Sequence, residues 1–215
     1  MQKMTNEKAQ FEKDRTAIKN YLLGCGYTQA LKAMAFAEKF HIGFRKDNVT
    51  PEFHHQIRIA FSVLNLRDVE NEETCLILSF LHDTKEDYKI SQDQLTSLFG
   101  SKISSKCSIL DKNCFIGEGD CFTAIGEDID CSIVKGADNC DNIQSMHGAF
   151  TDAKIAIYCE RTERYVLPML KIASRNFPHQ SFSYSALRNQ LKNKIVLYRE
   201  LIKLSESYKT KFKEA

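Results

Sequence analysis

Apolar residues recur along this chain at intervals of three and four, and nowhere does an alternating pattern persist long enough to describe a strand. The spacing predicts helices over residues 4–23, 27–42, 52–66, 69–84, 92–100, 102–110, 121–129, 131–147, 150–175 and 183–208. Local punctuation agrees: Ser91 stands before an acidic first turn, and Gly100 stands where that helix should stop. The stretch Asp111 to Asp120, with two glycines and several charges, reads as a central loop. In the last helix Tyr184, Leu187, Leu191, Ile195, Tyr198 and Ile202 form one stripe, too short for a coiled coil and expected to pack back on the body. The pattern predicts an all-α fold, a bundle of about ten helices in one domain over 1–215.

Composition narrows the partners. With 215 residues the chain can bury one sizeable core, and its net charge of +2 gives no footing for nucleic acid or an acidic membrane surface. The basic end, Tyr208 to Lys213, reads as a solvated tail. No apolar run approaches the roughly 20 residues of a membrane span, and the first residues lack a signal-peptide pattern, so a cytoplasmic protein is expected. The eight cysteines form no CxxC pair and are expected to be reduced. Cys75 and Cys131 fall in helical patterns as small hydrophobes; Cys114 and Cys121, flanking the loop, are the candidates for exposure.

The most informative run is Leu81-His82-Asp83-Thr84-Lys85-Glu86-Asp87, at the end of the apolar stretch Cys75 to Leu81. On a continuous helix Glu86 lies one turn beyond His82, and Asp87 one turn beyond Asp83, so four chemically active side chains share one sector. Three carboxylates crowded there repel one another unless a cation intervenes. His82 and Asp83 would then be ligands, with Glu86 and Asp87 handling protons. A helix end opening into a charged, solvated loop fits the run equally well.

Two ligands cannot hold a metal alone. His54 and His55 lie near the start of the helix predicted over 52–66; His55 shares its face with Ile59, Val63 and Leu66, and His54 shares a mixed face with Arg58, Phe61 and Asn65. That makes His55 the better ligand. Asp138, after the apolar Ile133 and Val134, offers a fourth, with Asn142 one turn on; taken alone, this segment is an ordinary polar surface.

Together, His…His-Asp…Asp on three apolar helices resembles the ligand set of the HD phosphohydrolases, and more closely the hydrolase domain of the RelA/SpoT family. His41-Ile42-Gly43-Phe44-Arg45-Lys46 is similar to that family's His-x-Gly-Gln-x-Arg-Lys run, and Pro51 to His55 keeps its Pro-to-His spacing. Phe80 to Asp87 matches Leu-Leu-His-Asp-x-x-Glu-Asp, with Phe99-Gly100 after it, and Lys135 to Gln144 resembles Lys-Leu-Ala-Asp-Arg-Leu-His-Asn-Met-Arg. Glu160 to Tyr165 looks like Glu-Thr-Leu-Glu-Ile-Tyr, so the resemblance covers roughly residues 30–175.

The resemblance implies one Mn²⁺ held by His55, His82, Asp83 and Asp138, acid–base work by Glu86 and Asp87, and nucleotide contacts by Arg45, Lys46 and Asn142. It implies removal of the 3′-pyrophosphate from (p)ppGpp. A phosphatase acting on NADPH or another phosphorylated nucleotide is the neighbouring possibility, and a catalytically weak nucleotide sensor the more distant one. The expected partner is a small nucleotide, and the expected relatives are small stand-alone hydrolases. There are departures: Asn139 and Asp141 replace the family's arginine and histidine, a change of charge expected to weaken binding of a polyanion. Lys85, inside the acidic run, is expected to face solvent.

Overall fold

The computed structural model describes residues 2–211, with side chains over 6–207. The basic tail Tyr208 to Lys213 therefore lies outside the described side chains. Among the described residues every regular element is helical, apart from one backbone bridge between Phe44 and Pro51.

Three buried helices carry the candidate chemistry: α3 (His54–Leu64), α4 (Glu72–Leu81) and α8 (Ile129–Gln144), and each packs against the other two. They are enclosed by α1 (Gln2–Cys25) against α3, α2 (Thr28–Ala37) against α4, and α10 (Leu167–Asn176) and α11 (Ser181–Lys211) against α8. The remaining helices are α5 (Thr84–Tyr88), α6 (Gln92–Leu110), α7 (Glu118–Gly126) and α9 (Asp152–Arg161).

The sequence explains why α8 can sit in the middle. Its start is fixed by Asp128, whose carboxylate accepts from the backbone N–H groups of Asp130 at 3.0 Å and Cys131 at 2.9 Å. Lys106 pairs with the same carboxylate at 2.5 Å and with buried Asp130 at 3.1 Å, so one lysine bridges the two carboxylates at this helix start. Gly136 lets two helices approach closely: a Cβ there would lie 2.8 Å from a Leu187 methyl and 2.9 Å from one of Leu170. The stripe on α11 packs inward, with Tyr184, Leu187, Leu191, Ile195 and Tyr198 all buried.

The structure departs from the periodicity in instructive places. The predicted helices 92–100 and 102–110 form one run, kinked at Gly100, which takes φ +82°, open to glycine at no steric cost. The helix predicted over 69–84 stops at Leu81; His82 and Asp83 form a turn, and α5 begins at Thr84. The expected loop 111–120 is shorter, because a 3₁₀ turn occupies Lys112–Cys114 and α7 starts at Glu118. Helices α9 and α10 are joined without a break by one turn of wider π-type helix, Thr162–Val166. All eight cysteines are free; Cys114 is exposed as expected, whereas Cys121 is buried, on the inner side of α7.

Candidate metal centre

His55 stands in the first turn of α3, His82 just past the end of α4, and Asp138 midway along α8. The three helices therefore deliver one donor each to a single point. A nitrogen of each histidine and an oxygen of Asp138 all lie within 4.8 Å of one another, and all three residues are buried. The distances from Asp138 Oδ1 are 3.2 Å to His55 Nε2 and 3.8 Å to His82 Nε2. The two rings meet edge to face, their centroids 5.5 Å apart.

Each imidazole is anchored through its other nitrogen. His82 Nδ1 lies 3.1 Å from the Ser79 carbonyl, and His55 Nδ1 lies 2.7 Å from Asp141 Oδ2. Both rings thus turn Nε2 toward Asp138, which is how outer hydrogen bonds commonly orient metal ligands. Burial disfavours the charged form of His55, but hydrogen bonds to Asp138 and Asp141 outweigh it and raise the pKa above the usual histidine value. Burial likewise opposes ionisation of Asp138. The neighbouring Lys135 and His55 overcome that penalty and hold the carboxyl well below the usual range. Lys135 Nζ lies 2.8 Å from Asp138 Oδ2, and Asn142 donates to Oδ1 at 2.6 Å.

Asp83, the fourth expected ligand, stands beside this cluster rather than in it. Its Oδ2 accepts from Gln56 at 2.9 Å and lies 3.6 Å from His82 Nε2; its Oδ1 faces His41 Nε2 at 3.3 Å. Although buried, Oδ1 accepts no well-formed hydrogen bond. Burial opposes its ionisation, and His82 and His41 together outweigh that, so the carboxyl is depressed below its ordinary value. Two imidazole nitrogens, one central carboxylate and an adjacent carboxylate with a spare oxygen fit a divalent ion of borderline hardness.

The centre forms the floor of a cavity of about 410 Å³, lined also by Glu86, Asp87, Arg45, Lys46 and Asn142. The helix break at Asp83 does not scatter the acidic run: His82, Asp83, Glu86 and Asp87 all reach this one cavity. Glu86 is paired with Lys112. Asp87 has its pKa raised, first by desolvation and then by repulsion from Asp83 and Glu86. Across the cavity Arg45 donates to Asn142 Oδ1 at 2.8 Å. A second cavity of about 300 Å³ shares Arg45, Lys46, Asn142 and Phe150 with the first, and adds Lys154 and Tyr158.

Several side chains do other work than their sequence context suggested. His54 is not on a mixed surface: α1 covers it, Asp14 Oδ2 lies 2.9 Å from its Nε2, and Phe11 meets its ring edge-on. Arg58, grouped with His54 by spacing, instead reaches the His55 side and pairs with Asp141 at 2.6 Å. Lys85 turns from solvent to α6, donating to Ser108 at 2.6 Å and Gln92 at 2.9 Å. Asn139 is buried and accepts from the Tyr158 hydroxyl at 3.2 Å. Three residues of the site escaped the sequence reading as contributors: His41, Gln56 and Lys135. Lys135 had a signal, one helical turn before Asp138. His41 had one too, as the first residue of the run similar to the family's His-x-Gly-Gln-x-Arg-Lys, but its contacts could not be read from spacing: the Tyr88 hydroxyl lies 3.0 Å from its Nδ1.

No family model matches the chain. Among curated proteins it is 29% identical over 126 residues to a probable guanosine-3′,5′-bis(diphosphate) 3′-pyrophosphohydrolase of Synechocystis, a match covering 54% of this chain and 16% of that protein. The chain resembles the RelA/SpoT-type hydrolase domain. It is also 26% identical over 145 residues to GTP pyrophosphokinase rsh of Brucella suis, covering 62% of this chain and 19% of the relative. To a GTP pyrophosphokinase of Myxococcus xanthus it is 24% identical over 148 residues, again 62% and 19%. The chain thus spans about a fifth of the length of the curated relatives it matches. RelA/SpoT-type resemblance and an all-helical fold therefore coincide with a buried His/His/Asp cluster. Among the described residues, no helix is long and apolar enough to cross a membrane.

Proposed function

We propose that this chain is a divalent-metal-dependent nucleotide phosphohydrolase, a guanosine-3′,5′-bis(diphosphate) 3′-pyrophosphohydrolase that uses Mn²⁺. The observation that carries the reading is the buried meeting of His55, His82 and Asp138 on the floor of a cavity whose wall holds Glu86 and Asp87. The name of the Synechocystis relative supports hydrolysis. The other two names describe pyrophosphate transfer, but a ligand cluster flanked by carboxylate bases suits attack by water.

His55, His82 and Asp138 would hold the ion, with the Asp83 carboxylate beside His82 as the fourth donor. The bound ion supplies Lewis acidity, drawing charge from a phosphoryl oxygen and making water a better nucleophile. The chain's own residues do the rest. Arg45 and Lys46 offer positive charge to the nucleotide, and Asn142, steadied by Arg45, offers an amide to its sugar side. Asp87 takes the proton of the attacking water, a role its raised pKa suits, because a base works best with a pKa near the operating pH. Glu86, held by Lys112, orients that water. The water oxygen bonds to phosphorus, the bond from phosphorus to the 3′ oxygen breaks, and that oxygen recovers a proton as pyrophosphate departs.

The test is product analysis after incubating the chain with Mn²⁺ and ppGpp, pppGpp, NADPH or simple nucleotides. Pyrophosphate together with GDP or GTP is expected. Phosphate released from NADPH alone would replace the substrate, and metal binding without turnover of any compound would refute the hydrolase reading.

A further inference from the structure

Two pairs of residues face each other across the helices α3 and α8. His55 and Arg58 lie three apart on α3, Asp138 and Asp141 three apart on α8, so each pair presents one face of its helix. Four contacts join them. His55 Nε2 lies 3.2 Å from Asp138, His55 Nδ1 lies 2.7 Å from Asp141 Oδ2, and Arg58 Nε donates to Asp141 Oδ1 at 2.6 Å. A second Arg58 donor, Nη2, reaches Asp141 Oδ2 at 3.1 Å. Both oxygens of Asp141 are therefore engaged, and the residue is 9% exposed. It cannot present a free negative charge to a substrate, which was the expectation from sequence.

We propose that Asp141 is the positioning residue of the metal centre: clamped by Arg58, it accepts the Nδ1 proton of His55 and so fixes the imidazole with Nε2 toward the ion. This rests on the metal reading under Proposed function. His82 shows what the alternative looks like, because its Nδ1 has only the neutral Ser79 carbonyl at 3.1 Å. A carboxylate in that place holds the ring by charge as well as by geometry and makes the coordinating nitrogen more basic. Arg58 gives the buried carboxylate its second partner, since an uncompensated charge in such a place is strongly unfavourable. Burial opposes ionisation of Asp141, yet hydrogen bonds from His55 and Arg58 outweigh it and keep the carboxyl well below its ordinary range. An asparagine in its place would have to turn its amide N–H₂ toward either the Nδ1 proton or Arg58, donor against donor.

The experiment measures Mn²⁺ affinity of the full chain by calorimetric titration, alongside metal-free melting temperatures, for wild type, Asp141→Asn and Arg58→Gln. Loss of such an outer partner typically weakens metal affinity by about 10- to 100-fold, and that loss is expected for Asp141→Asn. Arg58→Gln leaves the carboxylate on Nδ1 and should lose less affinity. A mere clasp between α3 and α8 would lower both melting temperatures and leave the affinities of the folded variants unchanged. Equal affinity of wild type and Asp141→Asn would overturn the proposal while leaving the metal centre standing. No binding by wild type would overturn both. If Asp141→Asn does not fold, Arg58→Gln decides: a measurable loss supports the clamp, and unchanged affinity overturns it.

Discussion

The neighbouring histidines at the start of α3 should separate two properties that are usually entangled. His54 is buried beneath α1 at 3% exposure, with Asp14 as its charged partner at 2.9 Å. Replacing it with alanine removes a hydrogen bond to a charged group, about 1.5–3 kcal/mol, and an edge-on aromatic contact with Phe11, about 0.5–1.5 kcal/mol. Asp14 keeps 25% of its side chain exposed and can rehydrate, which favours the lower half of the combined range. A loss of about 2–3 kcal/mol lowers the melting temperature of a chain this size by roughly 4–12 °C. His55→Ala instead removes a proposed metal ligand. A ligand at 100 times its dissociation constant stabilises the folded chain by about 2.7 kcal/mol, which should raise melting by roughly 5–10 °C. The assay is thermal denaturation of wild type, His54→Ala and His55→Ala with and without Mn²⁺. His54→Ala should start lower and keep the full metal-induced rise, and His55→Ala should show none. A rise that survives in His55→Ala and disappears in His54→Ala would refute the assignment of faces on α3.

The residues proposed to handle protons can be separated from the proposed ligands: Asp87→Asn should cost roughly 10²- to 10⁴-fold in turnover while leaving Mn²⁺ affinity within a few-fold, checked by single-turnover kinetics and titration. Because the Asp87 pKa is raised, the working, ionised base is lost as pH falls through a value above the ordinary carboxylate near 4; this acid limb of the rate profile should vanish in the residual activity of Asp87→Asn. At the start of α8, burial opposes ionisation of Asp128, but the Cys131 backbone N–H and Lys106 outweigh it and depress the pKa. Its contribution is thus complete above the unfolded value of about 4 and lost as pH falls through the lower folded value, so Asp128→Asn should flatten the acid end of urea midpoints plotted against pH. Gly136→Ala should lower the urea midpoint by the equivalent of about 1–2 kcal/mol, since two leucine side chains must yield to the new methyl group while the helix gains up to about 1 kcal/mol in propensity.

Much of this was legible before any coordinates. Apolar spacing located the helices because each buries one stripe, and the position of His55 among Ile59 and Val63 pointed it inward correctly. What spacing could not supply was the neighbour across a gap. His54 read as lying on a mixed face because nothing in α3 indicates that α1 lies over it. Asp141 read as a repulsive charge because its partners, His55 and Arg58, are more than 80 positions away in the chain. The turn at His82 and Asp83 was hidden by the unbroken pattern of the run, since a short interruption followed at once by α5 keeps Glu86 and Asp87 on the same side. The candidate ligands were easier to read than their supports, because ligands carry distinctive chemistry while supporting residues are ordinary side chains in particular places.

The wide turn at Thr162–Val166 has a consequence for anyone who edits or aligns this chain. A π-type turn accommodates one residue more than the regular helix, and one residue of α-helix is about 100° of rotation. On its N-terminal side α9 aims Tyr158 at Asn139; on its C-terminal side α10 sets Leu170 against Gly136. The two halves of what looks like a single rod are thus clocked separately, each to its own stretch of α8. Deleting one residue between 162 and 166 would keep the rod straight and helical, yet would turn one half out of phase with the other. Alignments that run through this stretch without a gap against a chain lacking the extra residue will pair the wrong faces on one side of it.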